Sequence, residues 1–206
     1  MEAFHNMTAF PPGTSPNSLL EAIQKNNAAN LASEAGRHDE AIALHKQALE
    51  AKVRDHGEES VHAALSLNSL GEEYLEVGRL DEAAQCFRKA LRVRDDVAFG
   101  GLELGPRNDA AATRDNMGRV LEARGDFEGA REIRIKGADK GHTMCGCVNC
   151  LTPGGAMLTR QKLKTCGGCR SVFYCSAACQ KKDWTSRHKP LCKKYTASRA
   201  AANSTA

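Results

Sequence analysis

Between residues 19 and 140 the apolar residues recur with the period of a helix. They are spaced three or four positions apart, as at Met117 and Leu121, so that they fall on one face of an amphipathic helix. Polar residues fill the positions between them, and glycines followed by acidic residues interrupt the pattern. We therefore predict a mostly α fold of three helix pairs, with helices over residues 19–35, 38–54, 60–77, 80–97, 108–124 and 127–136.

Three short segments mark the turn inside each helix pair. Residues 36–41, 78–83 and 125–130 read GRHDEA, GRLDEA and GDFEGA, at offsets of 42 and 47 residues. The glycine suits a left-handed turn that ends one helix, and the acidic residue stabilises the N-terminus of the next. The alanine lets the two helices approach closely. This recurrence predicts a helical repeat protein.

In the middle copy, small and large apolar residues recur at Leu67, Leu70, Gly71, Tyr74, Gly78, Ala83, Phe87 and Ala90. This pattern resembles a tetratricopeptide repeat, and the long offsets make it similar to the kinesin light chain type. The outer copies depart from the pattern, because His45 and Arg134 stand where the family has a large aromatic residue. The resemblance implies a concave binding groove lined by Asn26, Asn30, Asn68, Glu72, Arg119 and Glu122.

Each helix pair exposes an apolar face that only a neighbouring pair can cover, so the ends of the stack need a cap. No capping helix is recognisable after the third pair. We therefore expect the C-terminal region to dock there against Ile133 or Ile135 and to close the stack.

The cysteines are concentrated in the C-terminal third of the chain. Eight of the nine lie between residues 145 and 192, and the ninth is Cys86 in the repeats. Cys-x2-Cys, Cys-x3-Cys and His-x3-Cys units of this kind supply the four ligands of tetrahedral zinc. A segment of about 50 residues buries too little apolar surface to fold alone, so we expect two zinc ions to stabilise it. The predicted ligands are Cys147, Cys150, Cys166, Cys169, Cys175, Cys179, His188 and Cys192.

Residues 173–184 read FYCSAACQKKDW and are followed by His188 and Cys192, a pattern that resembles a MYND-type zinc finger. The resemblance implies interleaved sites, in which the first and third cysteine pairs hold one ion and the remaining four ligands hold the other. Spacing alone equally allows a sequential arrangement, in which the two Cys-x2-Cys pairs share one ion. Cys145 is the surplus thiol, because Cys-x-Cys is a poorer chelating unit than Cys147-x2-Cys150.

One spacing departs from the family. Eight residues separate Cys179 from His188, where MYND fingers usually have seven. Since the His-x3-Cys unit itself is intact, we expect the extra residue to loosen the chain locally after Trp184.

The resemblance also implies a peptide site on the finger. MYND fingers bind proline-rich segments of the Pro-x-Leu-x-Pro kind beside a strand, which assigns the peptide contacts to Gln180 and Trp184. Another interpretation is that Trp184 packs between the zinc sites, and the two roles are compatible. We expect no enzyme activity, because both predicted zinc sites are filled by protein ligands and no phosphate loop or nucleophile elbow occurs.

Charge divides the chain into an acidic and a basic part. Residues 1–140 hold 18 basic and 24 acidic residues, a charge of −6, whereas residues 141–206 hold 11 and 1, a charge of +10. A basic surface suits acidic proteins or nucleic acid. We expect a protein–protein interaction adaptor; the alternatives are a nucleic-acid-associated transcriptional regulator and an accessory subunit of a SET-type methyltransferase.

These features predict four regions: a disordered tail at 1–18, helical repeats at 19–140, the finger at 141–194 and a disordered tail at 195–206. No apolar run reaches the ~18 residues of a membrane span, and the N-terminus lacks the basic and apolar regions of a signal peptide. We therefore expect an intracellular protein, nuclear or cytoplasmic, with no membrane partner and with reduced thiols that favour metal over disulfides.

Overall fold

The computed structural model describes residues 16–96, 108–136, 138, 143–148, 150, 157–158 and 160–204 of the chain. Six helices of the repeats pack in three pairs, as predicted. Their bounds are α1 Pro16–Glu34, α2 His38–His56, α3 Val61–Glu76, α4 Leu80–Arg94, α5 Asn108–Ala123 and α6 Phe127–Ile135. The segment between the fourth and fifth predicted helices and residues 1–15 of the predicted tail lie outside the described residues.

The finger consists of short elements. The strands are β1 Thr143–Met144, β2 Met157–Leu158, β3 Lys164–Thr165 and β4 Phe173–Tyr174, and they form two antiparallel pairs, β1 with β2 and β3 with β4. A 3₁₀ turn spans Arg160–Lys162. The helices are α7 Ala177–Asp183, a π-helical turn Trp184–His188 and α8 Lys189–Ser204.

The three turns of the repeats have the same geometry, which explains the recurring sequence. Gly36, Gly78 and Gly125 have φ values of 75°, 75° and 86°, in the left-handed region that favours glycine. After each glycine, a backbone N–H returns to a carbonyl five residues earlier, as in the 2.8 Å bond from Arg79 to Tyr74. The same turn geometry therefore places the second helix of each pair against the first.

The core of the middle pair is closed by one aromatic ring. Phe87 on α4 is fully buried and faces Gly71 on α3, where a Cβ atom would lie 2.6 Å from the ring. Leu67, Leu70 and Tyr74 complete the same cluster. The glycine is therefore required because the two helices approach too closely for a larger residue.

The outer pairs fill the position of Phe87 with polar groups. His45 is 1% exposed, and its Nδ1 lies 3.0 Å from Oδ1 of Asn26 on the facing helix. Arg134 is 4% exposed and packs its guanidinium over Gly118, where a Cβ atom would lie 2.7 Å away. Both substitutes keep the buried location of the aromatic but bring hydrogen-bonding groups into the core.

The prediction of a disordered tail from residue 195 is wrong, because α8 continues to Ser204. The helix is held against α6 by two contacts. The ring of Tyr195 stacks on that of Phe127 at 4.3 Å between centroids, and Arg199 pairs with Glu128. The sequence of the tail shows neither contact, because both partners come from the repeats.

The finger docks on the third helix pair, as expected, but not through Ile133, one of the two predicted isoleucines. Ile133 packs on the repeat core instead. Ser171 of the finger donates its hydroxyl to Glu122 of α5 at 2.6 Å, and Arg187 reaches the same carboxylate at 2.8 Å. The junction is therefore made by buried charged and polar groups.

Candidate metal centre and interaction surfaces

One group of candidate ligands is fully buried. The ligand atoms of Cys166, Cys169, His188 and Cys192 all lie within 4.8 Å of one another. The sulfurs of Cys166 and Cys192 are 3.8 Å apart, and the sulfur of Cys169 lies 3.3 Å from Nε2 of His188. Nε2 therefore faces the centre of the group. The structure brings together the same four residues that the resemblance implied for the second zinc.

Backbone hydrogen bonds shape this site independently of a metal. The turn after β3 is closed by the N–H of Arg170 donating to the carbonyl of Cys166 at 3.1 Å. The N–H of Cys166 in turn donates to the carbonyl of Val172 at 2.9 Å, which continues the β3–β4 ladder. Cys166 and Cys169 therefore point toward His188 of the π-helical turn and Cys192 of α8.

The π-helical turn at Trp184–His188 accommodates the extra residue of this chain. Its N–H···O pattern is wider than that of an α-helix, and the N–H of Lys189 donates to the carbonyl of Trp184 five residues earlier. A π turn is one residue longer than the α turn that it replaces, so His188 keeps its place beside Cys169. The predicted loosening after Trp184 is in fact a regular turn with a longer period.

The remaining candidate ligands, which form the first metal group, lie nearer the surface of the finger than Cys166, Cys169, His188 and Cys192, which form the second metal group. The sulfur of Cys150 is 3.5 Å from that of Cys175 and 3.8 Å from that of Cys179, and the latter two are 3.5 Å apart. The fourth member that lies within 4.8 Å of the others is Cys145. Both groups thus combine ligands from distant parts of the finger in an interleaved order.

At the fourth position the structure differs from the predicted ligand set. Cys145 directly follows β1, and its sulfur accepts the backbone N–H of Cys175 at 3.5 Å, which holds it beside the other three thiols. The sulfur of Cys147 instead lies 3.3 Å from the carbonyl of Val148. Cys147 is nevertheless buried nearby, and burial together with Cys179 raises its pKa to about 11. Five thiols therefore surround a site that needs four.

The spacing and chemistry of both groups fit zinc. Zinc–sulfur bonds of about 2.3 Å in a tetrahedron place the sulfurs about 3.8 Å apart, close to the distances given above. Thiols that are buried and raised in pKa, such as Cys147, stay protonated at neutral pH without a metal. Binding of a divalent cation would release these protons and replace them with metal–sulfur bonds.

A buried network of ion pairs joins the finger to the repeats. Arg134 donates to Asp115 at 2.7 Å and to Glu122 at 2.8 Å, and it also reaches the carbonyl of Ser171 at 3.2 Å. Burial tends to raise the pKa of Glu122, but the charges of Arg134 and Arg187 outweigh it and hold that pKa at about 2. The carboxylate is therefore ionised and fully paired at the junction.

The same network extends to the second metal group. Arg187, which precedes His188, forms two hydrogen bonds with the carboxylate of Asp183 at 3.0 and 3.1 Å. Asp183 also accepts the hydroxyl of Tyr174 at 2.7 Å. Because Arg187 also binds Glu122, the backbone that carries a metal ligand is fixed directly to α5.

The two predicted peptide-contact residues lie one helical turn apart on the finger. Gln180 belongs to α7 and Trp184 follows it, and both side chains are half-buried. One side of Trp184 packs on the cysteine cluster, and its ring lies edge-on to His188 at 6.0 Å between centroids. The residue thus contacts the core and also reaches the surface, which fits both interpretations of its role.

On the concave face of the repeats, several of the predicted groove residues form hydrogen bonds with other residues of the repeats. Asn68 donates to Glu72 at 3.0 Å and accepts the hydroxyl of Thr113 at 2.8 Å. Asn116 of α5 also donates to Glu72, at 2.7 Å. Glu72 itself remains exposed to solvent, and partial desolvation raises its pKa. Glu122, in contrast, is buried at the junction and unavailable to a partner.

Comparison with known protein families matches both parts of the chain. Family models described as tetratricopeptide repeat match residues 20–96 and 111–134, and a model described as MYND finger matches residues 147–192. The fold and the cysteine–histidine groups define a stack of helical repeats followed by a small zinc-binding finger. More particularly, this chain carries tetratricopeptide repeats followed by a MYND finger.

Two known proteins are similar to short stretches of the chain. ETO1-like protein 1 of Arabidopsis thaliana is 38% identical over 77 residues, which cover 36% of this chain and 9% of that protein. Ubiquitin carboxyl-terminal hydrolase 19 of the same organism is 59% identical over 32 residues, which cover 16% of this chain and 5% of that protein. The chain thus matches only a small fraction of either relative.

A solved structure shares the repeat architecture. The crystal structure of BtubC (BKLC) from P. vanneervenii is 28% identical and superposes with a TM-score of 0.51, covering 57% of this chain and 45% of that one. Tetratricopeptide repeats and MYND fingers are interaction domains, so protein–protein interaction is the function that the two parts have in common. Among the described residues, no helix has the length and apolar character needed to cross a membrane.

Proposed function

We propose that the protein is an intracellular adaptor that joins partner proteins through two surfaces, with zinc maintaining the shape of one of them. The finger would bind two zinc ions. One is held by Cys166, Cys169, His188 and Cys192, and the other by Cys150, Cys175, Cys179 and one thiol of the Cys145–Cys147 pair. The supporting observation is that each group supplies four protein ligands, which is the composition of a structural zinc site.

The same composition supports a protein without catalytic activity of its own. A catalytic zinc keeps one coordination position open for water or substrate, whereas four thiolate or imidazole ligands fill all positions. We therefore assign the metal a structural role. Native mass spectrometry of the intact protein, expressed with ample zinc, should find two bound ions; a single ion would contradict the proposal of two zinc sites.

On the finger, we propose that Gln180 and Trp184 contact a proline-rich segment of the Pro-x-Leu-x-Pro kind. The half-buried indole is held in place by the cysteine cluster and keeps part of its surface accessible. A rigid aromatic side chain of this kind offers an apolar face to proline rings at a low cost in conformational entropy. Gln180 lies one turn away and can hydrogen-bond the backbone of an extended peptide.

This surface is tested by titrating the zinc-loaded full chain with a fluorescein-labelled Pro-Gly-Leu-Gly-Pro peptide. Trp184→Ala should weaken binding by roughly 30-fold, the loss typical of a buried aromatic anchor. Lys181→Ala, an exposed change on the same helix, serves as the matched control and should leave affinity unchanged. Equal affinity of Trp184→Ala and the control, with the zinc content intact in both, would remove the peptide site from the proposal.

The concave face of the repeats is the proposed second surface. Its accessible charge is Glu72, which is oriented by the two asparagines Asn68 and Asn116. In affinity capture from cell extract, Glu72→Ala and Trp184→Ala should each fail to bind a different set of proteins. Loss of one common set in both variants would mean that the chain has a single binding surface.

The basic charge of the finger favours one further candidate, association with nucleic acid. Such binding would be largely electrostatic and would fall steeply as salt increases. Titration of duplex DNA at two salt concentrations distinguishes it from the adaptor function, because peptide binding through an apolar anchor depends only weakly on salt.

A further inference from the structure

A polar cleft lies where the finger meets the third helix pair. It has a volume of about 560 Å³ and is formed by three parts of the chain: α6, the turn of the second metal group and α8. Its charged and polar lining residues include Glu128, Arg131, Arg170, Tyr195 and Arg199. Since both the repeats and the finger contribute, the cleft exists only while the two are docked.

The charges of the cleft are unbalanced. Arg199 pairs with Glu128, the one acidic residue of the lining. Within the described part of the chain, Arg131 and Arg170 have no acidic partner, and both are exposed. The charge of Arg131 also adds to burial in lowering the pKa of nearby Arg160. Two guanidinium groups are therefore available to an incoming anion.

The backbone at Arg170 is unusual. Its φ of 61° is the only positive value at a non-glycine position among the described residues. The turn after Cys169 requires this left-handed conformation, which glycine adopts without strain and arginine does not. Arg170 therefore places a charged side chain next to the metal ligand Cys169, at a position where glycine would make the fold more stable.

We propose that this cleft binds a carboxylate of an acidic segment in a partner protein, with Arg131 and Arg170 as the binding residues. Guanidinium groups match the two oxygens of a carboxylate, and Glu128 shows that such a group fits beside Arg199. The cleft offers no free aromatic ring for a nucleic acid base, because Tyr195 is stacked on Phe127. This proposal is independent of the proline-rich peptide site, whose residues do not line the cleft.

The test is fluorescence anisotropy of the zinc-loaded full chain with a fluorescein-labelled Gly-Asp-Glu-Asp-Glu-Gly peptide. Arg170→Gly removes one charge and also relieves the backbone strain, so it should keep or raise the thermal unfolding midpoint while weakening the peptide. Arg131→Gln removes the second charge. We expect each to weaken binding about fivefold, in keeping with partly exposed ion pairs. Glu128→Gln, which removes the internal competitor, should tighten binding about threefold by the same reasoning.

Lys189→Gln is the matched control, because it removes an exposed charge of the finger that does not line the cleft. An unchanged affinity of this control supports the proposal. An equal loss in the control and in Arg170→Gly would overturn it, since binding would then follow net charge alone. Equal or tighter binding of a single-stranded oligonucleotide with the same number of charges would also overturn it, in favour of a nucleic acid partner.

Discussion

In the middle helix pair, Leu67, Phe87 and Leu91 are buried against other carbon side chains. In the finger, six of the eight buried residues of the cluster are cysteines, and the other two are Val172 and Tyr174; Phe127 of α6 joins the same cluster. Burial of apolar surface drives the first kind of core, and it needs no cofactor. The second kind would be held together by sulfur–metal bonds, because it contains few apolar side chains. The two halves of the molecule should therefore respond to different perturbations.

One repeat position shows how the two halves are joined. Phe87 and Arg134 occupy the same place in consecutive repeats, each packed over a glycine of the facing helix, Gly71 or Gly118. The ring of Phe87 lies in the apolar core, whereas the guanidinium of Arg134 extends to Ser171 in the finger. Replacing an aromatic by an arginine converts an internal core position into a contact between domains.

Removal of metal should produce the largest difference in stability between the finger and the repeats. Structural zinc contributes roughly 10–16 kcal/mol of apparent binding free energy per site, which exceeds the stability of most domains, about 5–15 kcal/mol. After chelation we expect amides of β3, β4 and α7 to exchange rapidly with solvent, while those of α3 and α4 stay protected. Hydrogen exchange with and without chelator measures this, and added zinc should restore protection. Continued protection of the finger without metal would show that its carbon core is sufficient.

A pair of serine substitutions identifies the fourth ligand of the first zinc group. Losing a true ligand should weaken zinc by more than the 10–100-fold that loss of a supporting hydrogen bond typically costs. The geometry predicts this loss for Cys145→Ser, whereas the family pattern predicts it for Cys147→Ser. Cobalt substitution reads out the outcome directly, because thiolate-to-metal absorption weakens when a sulfur ligand is lost. Equal, small effects of both changes would mean that either thiol can complete the site.

The next effect in size is at the junction. Glu122 is buried and binds both Arg134 and Arg187, so Glu122→Ala removes one of the two carboxylate partners of each arginine and leaves only Asp115 for Arg134 and Asp183 for Arg187. Breaking a buried pair in this way costs about 3–5 kcal/mol. We expect a lower unfolding midpoint and more rapid exchange in both α5 and the finger.

The control for the junction is Glu76→Ala, an exposed acidic residue at the end of α3. It removes the same charge but no buried partner, and we expect a change of less than about 0.5 kcal/mol. If Glu122→Ala were equally mild, the finger and the repeats would be tethered only by the chain between them.

The sequence predicted what local rules control. The glycine turns and the cysteine spacings lie in short segments, so the six helices and the candidate metal ligands follow from neighbouring residues. The division of these ligands into two interleaved groups came from the family resemblance, and the place of Cys145 in one group came only from the structure. The role of Arg134 could not be predicted in this way, because its partner Ser171 lies 37 residues away. The helical continuation at Tyr195 depends likewise on Phe127, which belongs to the repeats.

The smallest predicted effect tests the close packing of the middle pair. In Gly71→Ala, the new Cβ would lie 2.6 Å from the ring of Phe87, and the ring cannot move away because it is fully buried. Overpacking of this kind costs about 1–3 kcal/mol, but alanine returns about 1 kcal/mol of helix propensity. We expect a net loss of about 1 kcal/mol in chemical denaturation.

A double-mutant cycle with Phe87→Leu separates these two contributions. The smaller side chain removes the clash, so Gly71→Ala in that background should be neutral or stabilising because only the helix propensity remains. The finger should be unaffected, with both zinc ions retained in every variant, because neither residue contacts the junction. If Gly71→Ala stabilised the otherwise unchanged protein, the glycine would not be required by the approach of the two helices.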